Sequence, residues 1–336
     1  MRGPRAKEQK VNAAVRSVGS YLPKKRLSNG DLSRTIETSD EWIYSHTGIR
    51  ARRIAADDEA TSDLAVAAAR RALAAADFAA ERLDLILVAT ATPDYNGFPS
   101  TASIVQERLH AVSAAAMDLS AACTGFVYAV ETASNFIKAG AAHHVLVIGS
   151  EILSRIVDWR DRNTCVLFGD GAGAMLLSGE EGEAGGVIRS FLRSEGKGAE
   201  YLVIPEGGSR HPFHTGTTRS EDLCVHMNGR KVYNFAVGAI GETIEALLGN
   251  DFALSDLAYI VPHQANIRII EAAAERFSID PSRFYVDIEE FANTSAASIP
   301  IAVAEMDRKG LLKRGDLILT VGFGGGLTYG GNLIRW

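Results

Sequence analysis

The sequence predicts an α/β fold in which helices cover a mostly parallel sheet. The apolar segment Leu85–Ala89 lacks the alternation of a half-exposed strand, which is typical of a strand buried on both faces. Helical patterns flank it at Leu64–Ala76 and Thr101–Leu109. From Leu257–Val261 onward, the second half of the chain repeats this alternation of strand and helix.

Caps and turns divide the first half of the chain into elements. Thr61-Ser62-Asp63 precedes one helix and Pro99-Ser100 precedes the next. In chain order we expect a strand Val11–Leu22, a turn at Ser28–Asp31, a short helix capped by Asp40, a helix Leu64–Ala76, a strand Leu85–Ala89, a helix Thr101–Leu109, a strand Ala114–Leu119, a helix Gly125–Lys138 and a strand Val145–Ile148.

The segment Thr164–Leu177 carries a glycine pattern, Gly169-Asp170-Gly171-Ala172-Gly173, between two apolar stretches. The pattern resembles a dinucleotide-binding loop, but such a loop opens a helix, and here another strand follows. We therefore expect a tight bend at which two backbones approach closely.

The second half begins after a surface turn at Glu180–Gly186 and a glycine-rich loop over Gly196–Glu221. The elements expected after this loop are a strand Leu257–Val261, a helix Ala265–Phe277, a strand Phe284–Ile288, a helix Ala296–Lys309 and a strand Leu317–Val321. The predicted organisation is a disordered lead-in over residues 1–10, an N-terminal half over 11–180 and a C-terminal half over 181–336.

Composition excludes several classes of protein. The chain has 336 residues, 46% of them hydrophobic, which suffices for one large core or two fused cores. A net charge of −6 without a dense basic block argues against a nucleic-acid partner. No apolar run approaches the ~18 residues that span a membrane. Three widely spaced cysteines without a CxxC motif predict a cytoplasmic protein without disulfides.

The segment Asp118–Phe126 (DLSAACTGF) carries the main candidate for a nucleophile. Cys123 lies on a tight turn at the start of a predicted helix, where unpaired N–H groups and the helix dipole favour a thiolate. We therefore expect a lowered thiol pKa. A buried, inert cysteine is the alternative.

A repeated spacing connects Cys123 with a second residue. Cys123 lies seventeen positions before Gly140, and Asn293 lies seventeen positions before Gly310. If a strand–helix unit is duplicated, Cys123 and Asn293 occupy equivalent turns and the two helix N-termini meet. Chance agreement is the alternative.

Two other strand ends carry polar or glycine-rich candidates. His263 follows the strand Leu257–Val261, although a lone histidine there is more often structural. Gly322–Gly326 lets backbone N–H groups approach a ligand, and Asn293 offers a donor that does not titrate. Cysteine, histidine and asparagine facing such a backbone suit thioester chemistry. The remaining histidine pairs, His143-His144 and His211/His214, lack the ligand spacing of a metal site.

Seven motifs in order resemble the β-ketoacyl-acyl carrier protein synthase III family of the thiolase superfamily. They are TSDEWI…TGIRARRI, GFPSTAS, DLSAACTGF, LFGDGAGA, VPHQAN, NTSAASIP and GFGGGLTYGG, and the resemblance covers Val11–Trp336. It implies a thiolase-like fold, two pseudo-duplicated halves in αβαβα layers, and usually a homodimer.

The resemblance also implies residue roles. Cys123 would be the acylated nucleophile, with His263 and Asn293 binding the malonyl thioester carbonyl during decarboxylation. The backbone N–H groups of Cys123 and Gly325 would form the oxyanion hole. The remaining implied contacts are Trp42 and Arg162 around the coenzyme A adenine, Asn266 and Gly229 along pantetheine, Phe323 near the nucleophile, Phe98 in the partner subunit's acyl tunnel and Arg268 in carrier-protein docking.

The implied reaction is a decarboxylating condensation of an acyl-CoA primer with malonyl-acyl carrier protein, through an acyl-Cys123 intermediate, that initiates fatty acid synthesis. Coenzyme A enters as the thioester substrate, and neither a cofactor nor a metal is expected. His46 stands where the family commonly has arginine, and Asn234 and Glu275 occupy positions that are often basic. These departures suggest altered contacts with coenzyme A and carrier protein.

Two alternatives remain. An enzyme of the same fold could use an unusual starter in a specialised-metabolite pathway, which His46 and the docking changes favour. A non-catalytic partner subunit is disfavoured because Cys123, His263 and Asn293 are all present. Asn293 in place of a second cysteine also argues against a degradative thiolase.

Overall fold

The computed structural model describes residues 11–182 and 185–336. The lead-in predicted over residues 1–10 lies outside these described residues. The strands are β1 (Val11–Tyr21), β2 (Lys25–Ser28), β3 (Ala51–Ile54), β4 (Leu85–Ala89), β5 (Ala115–Leu119), β6 (His144–Ile152), β7 (Asp170–Glu181), β8 (Gly186–Ser194), β9 (Leu202–Val203), β10 (His226–Met227), β11 (Leu257–Pro262), β12 (Leu317–Gly324) and β13 (Thr328–Arg335).

The α-helices lie between groups of these strands in the sequence. They are α1 (Asn29–Leu32), α2 (Asp40–Thr47), α3 (Thr61–Ala75), α4 (Thr101–Arg108), α5 (Gly125–Lys138), α6 (Arg162–Cys165), α7 (Gly229–Leu248), α8 (Ile267–Arg276), α9 (Ile288–Phe291) and α10 (Ser298–Arg308). No helix in the described part of the chain is both long and apolar enough to span a membrane.

Two mixed sheets form the centre of the molecule. The first has the strand order β1-β7-β6-β4-β5, and the second has the order β11-β12-β13-β8. Only β4 with β5, β4 with β6, and β11 with β12 pair in parallel, and the other neighbours are antiparallel. The prediction of a mostly parallel sheet is therefore wrong. Turns too short for a parallel crossover, such as the one joining β12 to β13, require antiparallel pairing.

The helices fill three layers around the two sheets. The helices α5 and α10 lie between the sheets, where their apolar residues share one core with both. The helices α3 and α4 cover the outer face of the first sheet, and α7 and α8 cover that of the second. This αβαβα arrangement confirms the predicted architecture. The first sheet comes from 11–181 and the second from 186–335, and we propose that the two halves divide at residues 180 and 181.

The glycine pattern at the start of β7 serves close packing. The strand runs without interruption over Asp170–Glu181, so the predicted bend is wrong. The predicted close approach is confirmed, because a Cβ on Gly173 would lie 2.6 Å from the carbonyl carbon of Pro300. Glycine there lets the backbone of α10 lie directly on β7.

Other predictions failed in the second half. The segment Phe284–Ile288 is not a strand, since only a single bridge joins Ile260 to Phe284 and α9 begins at Ile288. Three further elements, α7, β8 and β13, were not predicted from the sequence. The two missed strands pair with each other and complete the second sheet.

The packing of β6 against the entrance of α10 gives a stability prediction. A Cβ added at Gly149 would lie 2.2 Å from the carbonyl oxygen of Ala296, where backbone rather than a flexible side chain must move. We expect Gly149→Ala to lower the free energy of unfolding by about 3 kcal/mol or more. Denaturant unfolding measures the change.

The matched control is Gly238→Ala within α7, where a Cβ meets nothing within 4 Å. Alanine should stabilise that helix by roughly 0.5–1 kcal/mol. Equal unfolding free energies for the two variants would contradict the close packing described for Gly149.

Candidate active site

Cys123 lies on the turn that leads from β5 into α5. Ala122 has a φ of +46°, and a 3₁₀ turn over Ala122–Thr124 continues directly into the helix. The Cys123 residue is 7% exposed. The left-handed conformation of Ala122 changes the direction of the chain, so that the thiol lies at the N-terminal end of α5 and faces the second sheet.

Burial dominates the acid–base behaviour of this thiol. It raises the pKa of Cys123 to about 11, with a smaller upward contribution from the Glu151 carboxylate. Hydrogen bonds from the Ser295 hydroxyl and from the backbone N–H groups of Cys123 and Gly325 lower the pKa of Cys123, and they do not offset the burial. The expected lowering of the pKa is therefore wrong, and Cys123 is a neutral thiol at pH 7.

The entrance of α10 has the same backbone form as the entrance of α5. Ser295 has a φ of +48°, and a 3₁₀ turn over Ser295–Ala297 leads directly into the helix. The counterpart of Cys123 is therefore Ala296, and the predicted equivalence with Asn293 is wrong. The helices contain 14 and 11 residues, so counting back from the glycine that ends each one introduces a shift of three.

The expectation that the two helix entrances meet is confirmed. A Cβ on Gly125 would lie 3.6 Å from the Cβ of Ala296. The 3₁₀ turn that contains Cys123 contacts the one that contains Ser295. The N-terminal ends of both central helices therefore converge at the nucleophile.

His263 follows β11 and is buried. Its backbone N–H donates to the Val321 carbonyl at 2.7 Å, and its ring meets the Phe323 ring edge-on at 5.3 Å. The imidazole Nδ1 lies 2.7 Å from the hydroxyl of Ser298, the first residue of α10. Burial lowers the pKa of His263 to about 3, so the imidazole is neutral across the physiological range.

Asn293 is held by backbone hydrogen bonds on both sides. Its N–H donates to the Leu167 carbonyl at 2.9 Å, and its carbonyl accepts from the Gly169 N–H at 2.9 Å. The side-chain Oδ1 accepts from the Ser295 N–H at 2.8 Å. This bond uses the amide oxygen and leaves the Nδ2 hydrogens as donors for a ligand.

A small apolar cavity of about 130 Å³ opens beside the thiol. Cys123, Ser295 and Gly325 line its polar end. The other lining residues are all apolar: Ala91, Ala122, Leu153, Ile156, Val157, Phe168, Leu202, Val203, Ile204 and Val225. A Cβ on Gly324 would lie 3.0 Å from the Cys123 Sγ, so the glycine-rich segment passes directly over the thiol.

A larger cleft of about 920 Å³ contains the residues predicted to contact coenzyme A. Trp42, Arg162, Asn266 and Gly229 all line it. The Arg162 guanidinium lies 4.5 Å from the Trp42 ring centre, and the same ring stacks on His46 at 4.5 Å. Trp42 therefore presents a flat aromatic surface to the cleft, and the Arg162 guanidinium lies against it.

The remaining predicted contacts differ in position. Arg268 lies at the start of α8 and donates through Nε to the Ser45 carbonyl at 3.0 Å. Phe323 is buried beside His263. Phe98 is 89% exposed and is absent from the residues lining the two cavities described above.

Three polar residues at this site were not predicted from the sequence. Ser295 and Ser298 belong to the NTSAAS segment, in which only Asn293 was singled out. Glu151 is fully buried, and its carboxylate accepts from Thr92 Oγ1 at 2.6 Å and from the Ala91 N–H at 3.0 Å. Its strand was predicted to end at Ile148, four residues too early. Within residues 11–182 and 185–336, no cluster of His, Cys, Asp or Glu could hold a metal.

Two family models match this chain. The model described as 3-Oxoacyl-[acyl-carrier-protein (ACP)] synthase III matches residues 117–196, and the model of its C-terminal part matches residues 247–336. A relative described as Beta-ketoacyl-[acyl-carrier-protein] synthase III from Caldanaerobacter subterraneus is 48% identical over 98% of this chain and 99% of its own length. Its counterpart from Clostridium acetobutylicum is 48% identical over 95% and 97%.

Solved structures give the same result. The 3-oxoacyl-[acyl-carrier-protein] synthase III of Aquifex aeolicus is 43% identical, with a TM-score of 0.88 over 96% of this chain and 100% of that chain. The Pseudomonas aeruginosa structure is 40% identical, with a TM-score of 0.89 over 97% and 98%. A priming β-ketosynthase from the R1128 polyketide biosynthetic pathway is 33% identical, with a TM-score of 0.86 over 99% and 98%.

The raised pKa of Cys123 predicts how the free thiol reacts with an alkylating agent. With a pKa of about 11, the alkylation rate by iodoacetamide should rise about tenfold per pH unit between pH 7 and 10. Mass spectrometry of the Cys123 peptide measures the rate, and circular dichroism checks that the fold persists at each pH. A rate that levels off below pH 8 would show a thiolate at neutral pH and contradict the dominance of burial.

Proposed function

The chain belongs to the 3-oxoacyl-[acyl-carrier-protein] synthase III family, and from this premise we propose that it condenses an acyl-CoA primer with malonyl-acyl carrier protein. It is an acyl-transferring condensing enzyme of the kind that initiates fatty acid synthesis. The observation that carries the site assignment is Cys123 at the meeting point of two helix entrances, beside an apolar cavity.

Acylation of Cys123 is the first proposed step. The sulfur attacks the thioester carbon, and we assign the N–H groups of Cys123 and Gly325, which already hydrogen-bond to the thiol, as donors to the oxyanion. The bond to the coenzyme A sulfur then breaks, and the proton lost by Cys123 ends on that departing sulfur. Because thiol exchanges for thiol, the step needs no net base. The apolar cavity accommodates the acyl chain.

Decarboxylation and condensation follow. The malonyl carboxylate leaves as carbon dioxide, and the bonding electrons remain as an enolate of the thioester. We assign His263 Nε2–H and the Asn293 amide as donors to the enolate oxygen. Each such donor supplies roughly 3 kcal/mol of stabilisation. The enolate carbon attacks the acyl-Cys123 carbonyl, and the Cys123 sulfur is expelled as a thiolate that takes up a proton from water to restore the neutral thiol.

The large cleft is the proposed binding site of coenzyme A. Adenine would enter between Trp42 and Arg162, which now lie against each other, so the two must separate. Pantetheine would run past Gly229 and Asn266 toward the thiol. Arg268, exposed beside this entrance, is the proposed contact for the anionic carrier protein. Neither step uses a metal or a cofactor.

The protein is further proposed to act as a homodimer. β5 pairs only with β4 among the described strands, so one of its edges is available. Met117 on this strand and Val112 just before it are large exposed apolar residues, as are Tyr95 and Phe98 in the loop before α4. Pairing of β5 with its copy would bury them and would let Phe98 reach the partner subunit's acyl cavity. Three unpaired cysteines support the predicted cytoplasmic location.

One observation favours the second candidate, a condensing enzyme with an unusual starter in a specialised pathway. His46, shorter than the arginine that the family resemblance implies, stacks on Trp42 and bonds its Nδ1 to the Trp42 carbonyl at 2.7 Å. These two contacts hold the imidazole inside the cleft that is proposed to bind the nucleotide. Altered recognition of coenzyme A would suit a different acyl donor.

The acyl-enzyme mechanism is tested with a panel of acyl-CoA primers and then malonyl-acyl carrier protein. We expect an acyl mass gain on the Cys123 peptide and its loss after the second substrate. The preferred primer distinguishes the two candidate functions. Failure of every primer to modify Cys123 would contradict the mechanism.

Two variants separate the steps. His263→Ala and Asn293→Ala should still accept the acyl group, because the oxyanion hole of that step is made by backbone N–H groups. Decarboxylation of malonyl-acyl carrier protein should fall about 10²- to 10³-fold in each variant, as removal of one oxyanion donor does. Loss of acylation with intact decarboxylation would reverse the assignment.

The dimer is tested by placing a charge on the β5 edge. Met117→Lys should yield a monomer in sedimentation velocity, because a lysine there would be buried opposite its own copy. Ile188→Lys is the matched control, since Ile188 is 38% exposed and Met117 is 39% exposed. A Met117→Lys protein that remains dimeric would refute this interface.

A further inference from the structure

We propose that Ser298 is a positioning residue that fixes His263 in the Nε2–H tautomer, the form that the condensation requires. The inference rests on the proposed function and extends it to a residue that touches neither the substrate nor the reacting atoms. It depends on a single short contact between two buried side chains, the Ser298 hydroxyl and the imidazole Nδ1 at 2.7 Å.

The direction of this hydrogen bond follows from the surroundings of the Ser298 oxygen. The Gln264 N–H donates to that oxygen at 3.4 Å, so the oxygen already accepts one bond. Among the described residues, His263 Nδ1 is the acceptor within hydrogen-bond distance of the Ser298 hydroxyl. Ser298 is buried, and a buried O–H without an acceptor is strongly unfavourable. The hydroxyl therefore donates to Nδ1.

A hydrogen bond donated to Nδ1 determines whether the other ring nitrogen, Nε2, carries the proton. In neutral imidazole one ring nitrogen carries the proton and the other accepts, so an accepting Nδ1 places the proton on Nε2. An Nε2–H group can stabilise the enolate oxygen. In the opposite tautomer a lone pair on Nε2 would face that oxygen and repel it. Ser298 is thus required for decarboxylation and is dispensable for the acylation of Cys123.

The position of Ser298 in the fold is consistent with this role. It is the first residue of α10 and follows the N-cap residue Ala297, so its hydroxyl does not occupy the position from which a serine caps a helix. The preceding 3₁₀ turn also orients the second donor, because the Ser295 N–H binds the Asn293 Oδ1. One segment therefore sets the donor orientation of both His263 and Asn293.

The tautomer is read directly by ¹⁵N NMR of histidine-labelled enzyme, in which protonated and unprotonated ring nitrogens have well-separated chemical shifts. His263→Gln identifies the His263 signals by their loss. In the wild type we expect a proton on Nε2. In Ser298→Ala we expect the tautomer with the proton on Nδ1 to become populated, because Nδ1 no longer accepts a hydrogen bond from the Ser298 hydroxyl.

Activity measurements accompany the spectra. Ser298→Ala should acylate Cys123 at a rate within about twofold of the wild type. Its decarboxylation rate should fall about 10- to 100-fold, as when the partner that orients a functional histidine is removed. Ser298→Thr restores a hydroxyl and should recover both the tautomer and the decarboxylation rate.

Ser134→Ala on α5 is the matched control. Ser134 is equally buried and its hydroxyl has no hydrogen-bond partner within the described residues, so its removal should leave acylation, decarboxylation and the His263 spectrum unchanged. An equal loss of decarboxylation in this control would indicate a general packing effect and would overturn the inference.

The outcomes separate the two proposals. An unchanged Nε2–H signal in Ser298→Ala overturns the role of Ser298, whatever the activities are. Unimpaired decarboxylation in a Ser298→Ala enzyme whose tautomer has shifted also overturns it. A wild type that never acylates Cys123 refutes the proposed function instead, while the spectra still decide whether Ser298 sets the tautomer.

Discussion

The structure depends on the close approach of two helix entrances between two sheets. The turns before α5 and α10 share a left-handed residue and a 3₁₀ turn, and their small side chains pack against each other. Glycines at 149 and 173 let α10 and its entrance lie against the first sheet, because a Cβ at either position would press on the backbone of Ala296 or Pro300. Cys123 lies on one of these turns and Asn293 just before the other, so the packing that closes the core also brings two of the proposed catalytic residues together.

Burial sets the protonation states at this centre. It raises the pKa of Cys123 and lowers that of His263, so both groups are neutral at pH 7. The Glu151 carboxyl lies behind the cavity wall, and burial raises its pKa as well, although several donors oppose this. A neutral thiol and a neutral imidazole suit a reaction in which thiol replaces thiol and a hydrogen-bond donor stabilises an enolate. Charge develops only when substrate is present.

The local sequence pattern predicted many helices and strands correctly where one local feature sets the bounds of the element. The strand Leu85–Ala89 and the helix Gly125–Lys138 have the predicted bounds. The strand is one uninterrupted apolar run, and the helix extends from the turn at Cys123 nearly to Gly140, so a single local feature defines each element. The strand predicted at Phe284–Ile288 failed because an apolar run also fits a chain that bridges a sheet at only one residue. The parallel sheet failed because strand direction depends on pairing between residues far apart in the chain.

The sequence by itself determined the family, the layered architecture and the identity of the candidate nucleophile, because ordered motifs and small-residue turns are local properties. The tertiary structure decided how these groups behave. It showed a neutral Cys123 where the helix dipole alone predicts a thiolate, since desolvation depends on every element packed around the thiol. It also placed Ser295 and Ser298 beside Asn293 and His263, because α10 crosses the end of β11 only in the folded chain. Long-range packing, which no local pattern records, thus fixes proton positions at the site.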